Sequence, residues 1–211
     1  MKRQLLAGVG VAVVTLCAGS AMARGKESSA DMRGLSVMVG GGVEGYTSTL
    51  GSDLNPGVAY GATVALKPTK VIGVELGYTG AANNFGSAVS TTSTARGPDV
   101  LRNGGQAVAT VGLTASPLQP YVLGGLGVSH YTVRSTAAGF DDDTVGNVPL
   151  GGGLRLHVGS FTADARVNYN LLFNQEFASN VPASDVINPN PAAVFSKGGS
   201  YTGTLNIGAT W

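Results

Sequence analysis

Two neighbouring stretches of the sequence, VPLGGGLRLHV and FTADARVNYNLLF, carry polar or ionisable residues on one parity and apolar residues on the other. This period of two is typical of strands with one polar and one apolar face. A two-residue hairpin turn at 159–160 would set the register of the two strands. Counting back from that turn, Arg155 lies opposite Asp164, and Arg166 lies two residues further along the same face. Side chains of these types, at this spacing, form ion pairs across a sheet.

A further carboxylate, Glu75, stands on the polar face of the stretch VIGVELGY. It lies a few residues from its own short connection, at a height similar to that of the other three charges. If these strands belong to one closed sheet, we expect Glu75, Arg155, Asp164 and Arg166 to form a buried ionic cluster inside it. Two roles stay open for the cluster: its charges neutralise one another and fill the interior, or they line a narrow ion path. Removal of one partner is costly in either role, because it leaves a buried charge unpaired.

Serine, histidine and glutamate, the residue types of lipid-processing hydrolases, occur at Ser129, His130 and Glu44. No spaced motif fixes their geometry, so the sequence favours a protein that is not an enzyme. A lipid-modifying enzyme stays as an alternative. It requires these side chains to converge within hydrogen-bond reach on the lipid side.

Three consecutive carboxylates, Asp141, Asp142 and Asp143, lie in the segment FDDDTVGN. They could meet a divalent cation, but the calcium-loop pattern of ligands at fixed offsets with a terminal glutamate is absent. We expect a solvated acidic loop rather than a metal site. No glycine-rich phosphate loop is present outside the leader and the strand runs, so we expect no cofactor.

The elements that would position these residues are eight alternating runs, each about as long as the 9–11 residues of a tilted membrane strand. The runs are 35–46, 58–67, 71–80, 106–115, 121–134, 148–158, 161–173 and 201–211. The run 121–134 has apolar residues on both parities, so its faces are not assigned. In the others, one face is apolar and the other mostly carries small or polar residues with a few charges.

The connections between the runs alternate in length. Short connections follow the second, fourth and sixth runs, at 68–70, 116–120 and 159–160. Longer ones follow the first, third, fifth and seventh runs, at 47–57, 81–105, 135–147 and 174–200. Consecutive antiparallel hairpins place the short turns at one end and the long loops at the other. Bacterial outer-membrane barrels have this asymmetry, with their short turns in the periplasm.

Composition separates a membrane barrel from a soluble one. Charged residues make up 12% of the 211 residues, where about 25% is usual for a soluble domain. The strands of a soluble barrel or sandwich also alternate between apolar and polar residues, but their outer face carries many lysine and glutamate residues. The formal net charge of +1 provides no electrostatic footprint for nucleic acid. The sequence therefore predicts an all-β protein, a closed eight-stranded antiparallel transmembrane β-barrel.

The first 23 residues have the pattern of a secretory signal peptide: a basic start at Lys2 and Arg3, an apolar centre, and a small-x-small end. We expect cleavage after Ala23. Residues 24–34 then form a short periplasmic tail, and residues 35–211 form the barrel domain. The single cysteine, Cys17, would leave with the signal, so we expect no disulfide.

The stretches PLQPYVLGGLGV, DARVNYNLLF and YTGTLNIGATW resemble the small eight-stranded outer-membrane barrels of the OmpA, OmpX and OmpW type. The resemblance covers nearly all of the chain after the leader. It implies that the barrel-assembly machinery reads a C-terminal signal of alternating apolar positions with a final aromatic residue. Those positions here are Tyr201, Leu205, Ile207 and Trp211. The family usually ends in phenylalanine, so the tryptophan is a mild departure.

The sequence as a whole predicts a protein of the Gram-negative outer membrane with a plugged lumen and an envelope role exercised through its surface loops. Outer-membrane lipid, lipopolysaccharide and the barrel-assembly machinery are its expected partners, and the partner of the loops is unknown. A narrow porin-like channel for ions or small apolar solutes is the first alternative. The lipid A-modifying enzyme is the second.

Overall fold

The computed structural model describes residues 32–86, 97–134, 142–173 and 199–211. These residues form one antiparallel sheet of eight strands that closes on itself in chain order, so the prediction of a closed eight-stranded barrel is confirmed. The strands are β1 Gly34–Tyr46, β2 Gly57–Lys67, β3 Ile72–Asn83, β4 Val100–Gly112, β5 Leu118–Val133, β6 Asp143–Val158, β7 Phe161–Phe173 and β8 Gly199–Thr210. A five-residue helix, α1 Thr49–Asp53, lies between β1 and β2. The expected leader lies outside the described residues.

The barrel closes through the pairing of β1 with β8. The ladder runs from Ser36 opposite Thr210 to Tyr46 opposite Ser200. It continues to the end of the chain, because Leu35 N donates to Trp211 O at 2.9 Å and Trp211 N donates to Leu35 O at 3.0 Å. A closed sheet has no edge strand, so both of its terminal strands are paired on both sides.

Side-chain alternation decides which face of each strand is buried. The apolar parity faces outward and stays exposed, whereas the polar parity faces the lumen and is mostly buried. In β5, the strand with unassigned faces, Tyr121, Leu123, Ser129 and Tyr131 face inward. Two apolar residues thus lie in the lumen near Val108, and this explains why the sequence showed apolar residues on both parities.

Several strands extend further toward the long loops than the sequence indicates. β4 begins at Val100 instead of 106, and β6 begins at Asp143 instead of 148. The segments VLRNGG and DTVGN hold aspartate, asparagine and glycine, which are residues typical of turns. Pairing with neighbouring strands holds both segments in the sheet. Val100 pairs with Asn83 of β3, and Asp143 pairs with Tyr131 of β5. Tertiary pairing here overrides local preference.

The connections define two ends of the barrel. Residues 68–71, 113–117 and 159–160 form the short connections at the turn side. Gly159 has a φ of 59°, as the tight turn between β6 and β7 requires. The longer connections all leave from the opposite end, the loop side. No helix among the described ranges is long and apolar enough to cross a membrane.

An apolar cluster closes the loop side of the lumen. The helix α1 folds inward, so that Leu50 is 2% exposed and Leu54 is 1% exposed. Leu54 also forms a bridge with Phe85, in the connection that follows β3. The full cluster, called the loop-side cap below, comprises Tyr46, Leu50, Leu54, Phe85, Val100, Tyr131, Val145 and Leu172. Both connections therefore contribute apolar side chains that fill the mouth of the barrel.

Candidate functional site

The structure brings together all four residues of the cluster expected from the sequence, called the turn-side network below. Arg155 Nη2 lies 2.8 Å from both Glu75 Oε1 and Asp164 Oδ2. Arg166 Nη2 lies 2.7 Å from Glu75 Oε2, and its Nε lies 3.5 Å from Asp164 Oδ1. Each carboxylate thus contacts both guanidiniums, and two negative charges balance two positive ones.

The register of β6 and β7 places three of these residues. Val158 pairs with Phe161, Arg155 with Asp164 and Gly153 with Arg166, so the register predicted from the two-residue turn is confirmed. Glu75 comes from β3, across the lumen. A side chain at Gly153 would meet the backbone oxygen of Ala165 and the ring of Tyr121, so the glycine leaves room for the network. All four charged residues are at least nine-tenths buried.

Tyr121 completes the turn-side network, and the sequence did not point to it. Its hydroxyl donates to Asp164 Oδ2 at 2.8 Å and accepts from Arg166 Nε at 2.9 Å. The guanidinium carbon of Arg155 lies 4.8 Å from the ring centroid, and that of Arg166 lies 5.6 Å from it. The side chain of Tyr121 therefore hydrogen-bonds with charged groups and also packs its ring against both guanidiniums. The sequence did not point to Tyr121 because it did not show which residues of β5 face the lumen.

A second ionic layer, also missed, lies nearer the loops. Arg102 donates from Nε to Glu44 Oε1 at 2.9 Å and from Nη2 to Glu44 Oε2 at 2.5 Å. Tyr46 donates its hydroxyl to the same carboxylate at 2.9 Å. We call Glu44 and Arg102 the loop-side pair. Arg102 had been expected in the connection 81–105, so its place in β4 and its partner were not foreseen.

The residue types of a hydrolase do not converge in this barrel. Ser129 and Glu44 both face the lumen and both contact Arg102, whose Nη1 donates to Ser129 Oγ at 3.2 Å. His130 is the next residue of the same strand, so it points to the opposite face. It is exposed, and its Nδ1 lies 3.0 Å from Thr144 Oγ1. Histidine and serine are thus on different sides of the barrel wall.

A polar chamber of about 50 Å³ separates the two ionic layers. Arg102 and Arg166 contribute to its walls from the two layers. The other polar side chains that face it from the lumen are Thr63, Thr79, Gln106, Asn147, Asn168, Asn170, Thr202, Thr204 and Asn206. A chamber of this size and polarity holds a few water molecules.

The acidic segment before β6 makes hydrogen bonds to nearby backbone. Asp142 Oδ1 accepts from the backbone nitrogen of Val133 at 2.8 Å, and Asp143 Oδ1 accepts from Thr144 N at 2.7 Å. Asp141 lies outside the described residues. Within the described ranges, no group of three or more histidine, cysteine, aspartate or glutamate residues is arranged to hold a metal ion.

The four residues of the expected C-terminal signal all lie on the outer face of β8 or at its end. Tyr201 is 38% exposed, Leu205 71%, Ile207 58% and Trp211 44%. Trp211 lies at the turn side, next to the first residues of β1. The side chains therefore form one outward row along the closing strand.

Comparison with solved structures places this architecture among known barrels. The crystal structure of Neisserial surface protein A matches with a TM-score of 0.57 and 15% identity, over 84% of this chain and 97% of that one. The attachment invasion locus protein of Yersinia pestis, Ail, matches with a TM-score of 0.50 and 13% identity, over 85% and 99%. The N-terminal barrel domain of Pseudomonas aeruginosa OprF gives 0.49 and 14%, over 85% and 98%. No family model matches the chain, and no curated protein does.

These likenesses define a class of fold. The chain has the fold of the small eight-stranded barrels to which Neisserial surface protein A belongs, as the resemblance in the sequence predicted. At identities of 13–15% the likeness concerns the fold alone.

Proposed function

We propose that this protein is a barrel of the Gram-negative outer membrane with a closed lumen and a structural or interactive role in the envelope. The composition of the outer face is the main support for this proposal. Twenty-seven large hydrophobic side chains are exposed on the described part of the chain, Val43, Leu126 and Leu205 among them. The outward positions of the eight strands contain no aspartate, glutamate, lysine or arginine. Such a wall is stable in lipid and would aggregate in water.

A pair of substitutions tests the membrane location of this wall. Leu126 lies near the middle of β5 and Val158 ends β6 at the turn, and the two side chains are similarly exposed, at 66% and 60%. In a bilayer, Leu126→Arg costs about 2–4 kcal/mol, and Val158→Arg costs only about 0–1 kcal/mol near the interface. In water both changes would stay within about 0.5 kcal/mol. Urea unfolding from lipid vesicles, followed by the fluorescence of the single tryptophan, measures both.

The outcome of that test is read from the difference between the two sites. A large cost at Leu126 with a small cost at Val158 supports the membrane barrel. Equal and small costs at both positions would contradict it and would favour a secreted soluble barrel. Heat-modifiable migration on a gel verifies that each variant has folded before it is compared.

The interior supports the role of a closed barrel. From the loop side inward, the lumen holds the loop-side cap, the loop-side pair, the polar chamber and the turn-side network. An eight-stranded barrel is just wide enough for its side chains to fill it. The contact with other molecules then falls to the outer face and the loops. Lipopolysaccharide and outer-membrane lipid are the proposed partners of the outer face.

The row Tyr201, Leu205, Ile207 and Trp211 supports recognition by the barrel-assembly machinery. All four side chains are accessible from outside on one strand. Replacing Leu205 and Ile207 together with threonine should slow insertion in cells, because it removes two of the four apolar positions. The matched control is a double replacement of Val74 and Leu76 on β3, two outward side chains of similar exposure. Equal effects of the two double variants would contradict a signal specific to β8.

A narrow channel is the second candidate, and the polar chamber favours it. Two arginines and several amides face one polar space in the middle of the lumen. Opening of the layers on both sides would connect this space to the two mouths of the barrel. Single-channel recording distinguishes the two candidates.

A further inference from the structure

The buried charges of the lumen do not balance. Among the buried side chains that the structure describes, Lys67, Arg102, Arg155 and Arg166 are cationic, and Glu44, Glu75 and Asp164 are anionic. The three arginines all lie within ion-pair distance of a carboxylate. The excess positive charge therefore belongs to Lys67, at the turn-side end of β2.

Among the residues that the structure describes, no carboxylate contacts Lys67. It is 3% exposed, and its Nζ donates to Gln119 Oε1 at 2.5 Å. The other end of that amide is also occupied, because Gln119 Nε2 donates to the backbone oxygens of Lys70 and Thr114. Gln119 thus orients the ammonium but brings no charge to it. A buried lysine is rarely found without an anionic partner, since desolvation of its charge is costly.

A second polar group at the same end has a free hydrogen-bonding position. His157, the second-last residue of β6, faces the lumen and is 2% exposed. Its Nε2 is buried and has no hydrogen-bond partner in the described part of the chain. Lys67 and Arg155 lie near enough for their positive charges to act on this imidazole, and the negative charge of Asp164 acts on it as well. The carboxylate of Glu75 acts on Lys67 without contacting it.

The other ring nitrogen of His157 is fixed by a chain of hydroxyl groups. Its Nδ1 lies 3.2 Å from Thr162 Oγ1, which lies 2.6 Å from Thr210 Oγ1, and this lies 2.7 Å from Ser36 Oγ. The chain follows β6, β7, β8 and β1 around the wall of the barrel. It holds the imidazole plane from one side and leaves Nε2 as the position that can meet a ligand.

We propose that Lys67 and His157 form an anion-binding site at the turn-side end of the lumen, which takes a compact oxyanion such as a phosphate or carboxylate group. Nζ of Lys67 supplies the charge, and an N–H at Nε2 of His157 supplies a second donor. Lys70 is exposed on the adjacent turn and is not a member of this site. The site goes beyond a closed barrel, because it gives the turn-side end of the lumen a binding activity of its own.

The test uses the refolded full chain with ¹⁵N-labelled histidine in uncharged maltoside micelles. Inorganic phosphate is added in steps, and the Nε2 resonance of His157 is followed by NMR. We expect a saturable shift of His157, with no shift of the exposed His130, which lies on the outer face. Lys67→Met should weaken the affinity by about tenfold or more, because it removes a charge-assisted hydrogen bond. Lys70→Met is the matched control and should retain most of the affinity.

Two further measurements check that each variant is folded and that Lys67 is charged. Heat-modifiable migration identifies any variant that fails to fold, and Lys67→Gln then replaces Lys67→Met. In a second sample labelled with ¹⁵N-lysine, the ¹⁵N shift of Nζ reports whether Lys67 is protonated. A neutral Lys67 would overturn the proposal, and so would a His157 shift that is unchanged in the folded Lys67 variants. The proposal would also be overturned if neither phosphate nor anionic lipid shifted the His157 resonance.

The source of the oxyanion is decided by a second arm of the experiment. The same protein is placed in bicelles of phosphatidylcholine alone, or with phosphatidylglycerol added. A His157 shift that appears with phosphatidylglycerol and not with free phosphate assigns the site to a lipid headgroup. A shift with free phosphate in the phosphatidylcholine bicelles assigns it to a dissolved anion. Both results support the site and differ only in where its ligand comes from.

Discussion

In the loop-side pair one carboxylate neutralises one guanidinium, whereas in the turn-side network each of two carboxylates contacts two guanidiniums. Both layers are buried and both include a tyrosine hydroxyl that donates to a carboxylate. They differ in what remains after one residue is lost. Loss of Glu44 leaves Arg102 without any of the described carboxylates in contact, but loss of Glu75 leaves both arginines of the network in contact with Asp164. The comparison predicts that a buried charge with two partners of opposite charge tolerates the loss of one of them better than a charge with a single partner.

The largest effect is expected at the loop-side pair. Glu44→Gln should lower the free energy of unfolding by about 3–5 kcal/mol, because it leaves a buried guanidinium uncompensated. Urea unfolding in vesicles measures it. The double variant Glu44→Gln with Arg102→Met should recover part of the loss, since it removes both charges. A double variant that is less stable than the single one would contradict the pairing.

A smaller effect is expected from the matching change in the turn-side network. Glu75→Gln should cost about 2–3 kcal/mol, the value of the charge-assisted hydrogen bonds that it weakens. Arg155 and Arg166 keep Asp164 as their shared anion. The same unfolding assay compares it with Glu44→Gln. If Glu75→Gln lowered the free energy of unfolding as much as Glu44→Gln or more, the expected difference between the loop-side pair and the turn-side network would be contradicted.

Removal of one hydroxyl from the network should have a still smaller effect. Tyr121→Phe keeps the ring under both guanidiniums and loses the hydrogen bonds to Asp164 and Arg166, at about 1–2 kcal/mol. The matched control is Tyr60→Phe on the outer face, where Tyr60 donates to Asn103 Oδ1 at 3.1 Å. That control should change stability by less than about 0.5 kcal/mol. Equal costs for the two tyrosines would mean that the position in the lumen does not matter.

The smallest effect is expected at the end of the chain. Trp211→Phe should change the free energy of unfolding by less than about 0.5 kcal/mol, because the side chain is exposed and the backbone bonds to Leu35 remain. The unfolding is followed here by heat-modifiable migration, since the variant lacks the tryptophan. A cost comparable to that of Tyr121→Phe would show that Trp211 packs more firmly than its exposure indicates.

The difference between the two layers also explains what the sequence could predict. Arg155, Asp164 and Arg166 lie on adjacent strands joined by a two-residue turn, so counting from 159–160 was enough to place them. Glu44 and Arg102 lie on β1 and β4, which do not pair with each other, and their contact is made across the lumen. No local count links two such residues.

The remaining misses have related causes. The arginine at 102 follows a long connection and stands among asparagine and glycine residues, so the start of β4 carried no clear alternation. Tyr121 was hidden by the mixed parity of β5, where two apolar side chains face the lumen. The inward fold of α1 depends on packing of Leu50 and Leu54 against residues from five of the strands and from the connection after β3. Alternation predicts the wall of a barrel well, but it does not predict what fills the barrel.

We propose that these layers together close the described lumen. Single-channel recording of the refolded, signal-free protein in a planar bilayer, beside Arg155→Ala, tests it most directly. A wild type that inserts, shows heat-modifiable migration and gives no steady current is the result that a closed lumen predicts. Steady wild-type currents whose size changes with Arg155→Ala would contradict it, and would assign the turn-side network to the wall of an ion path.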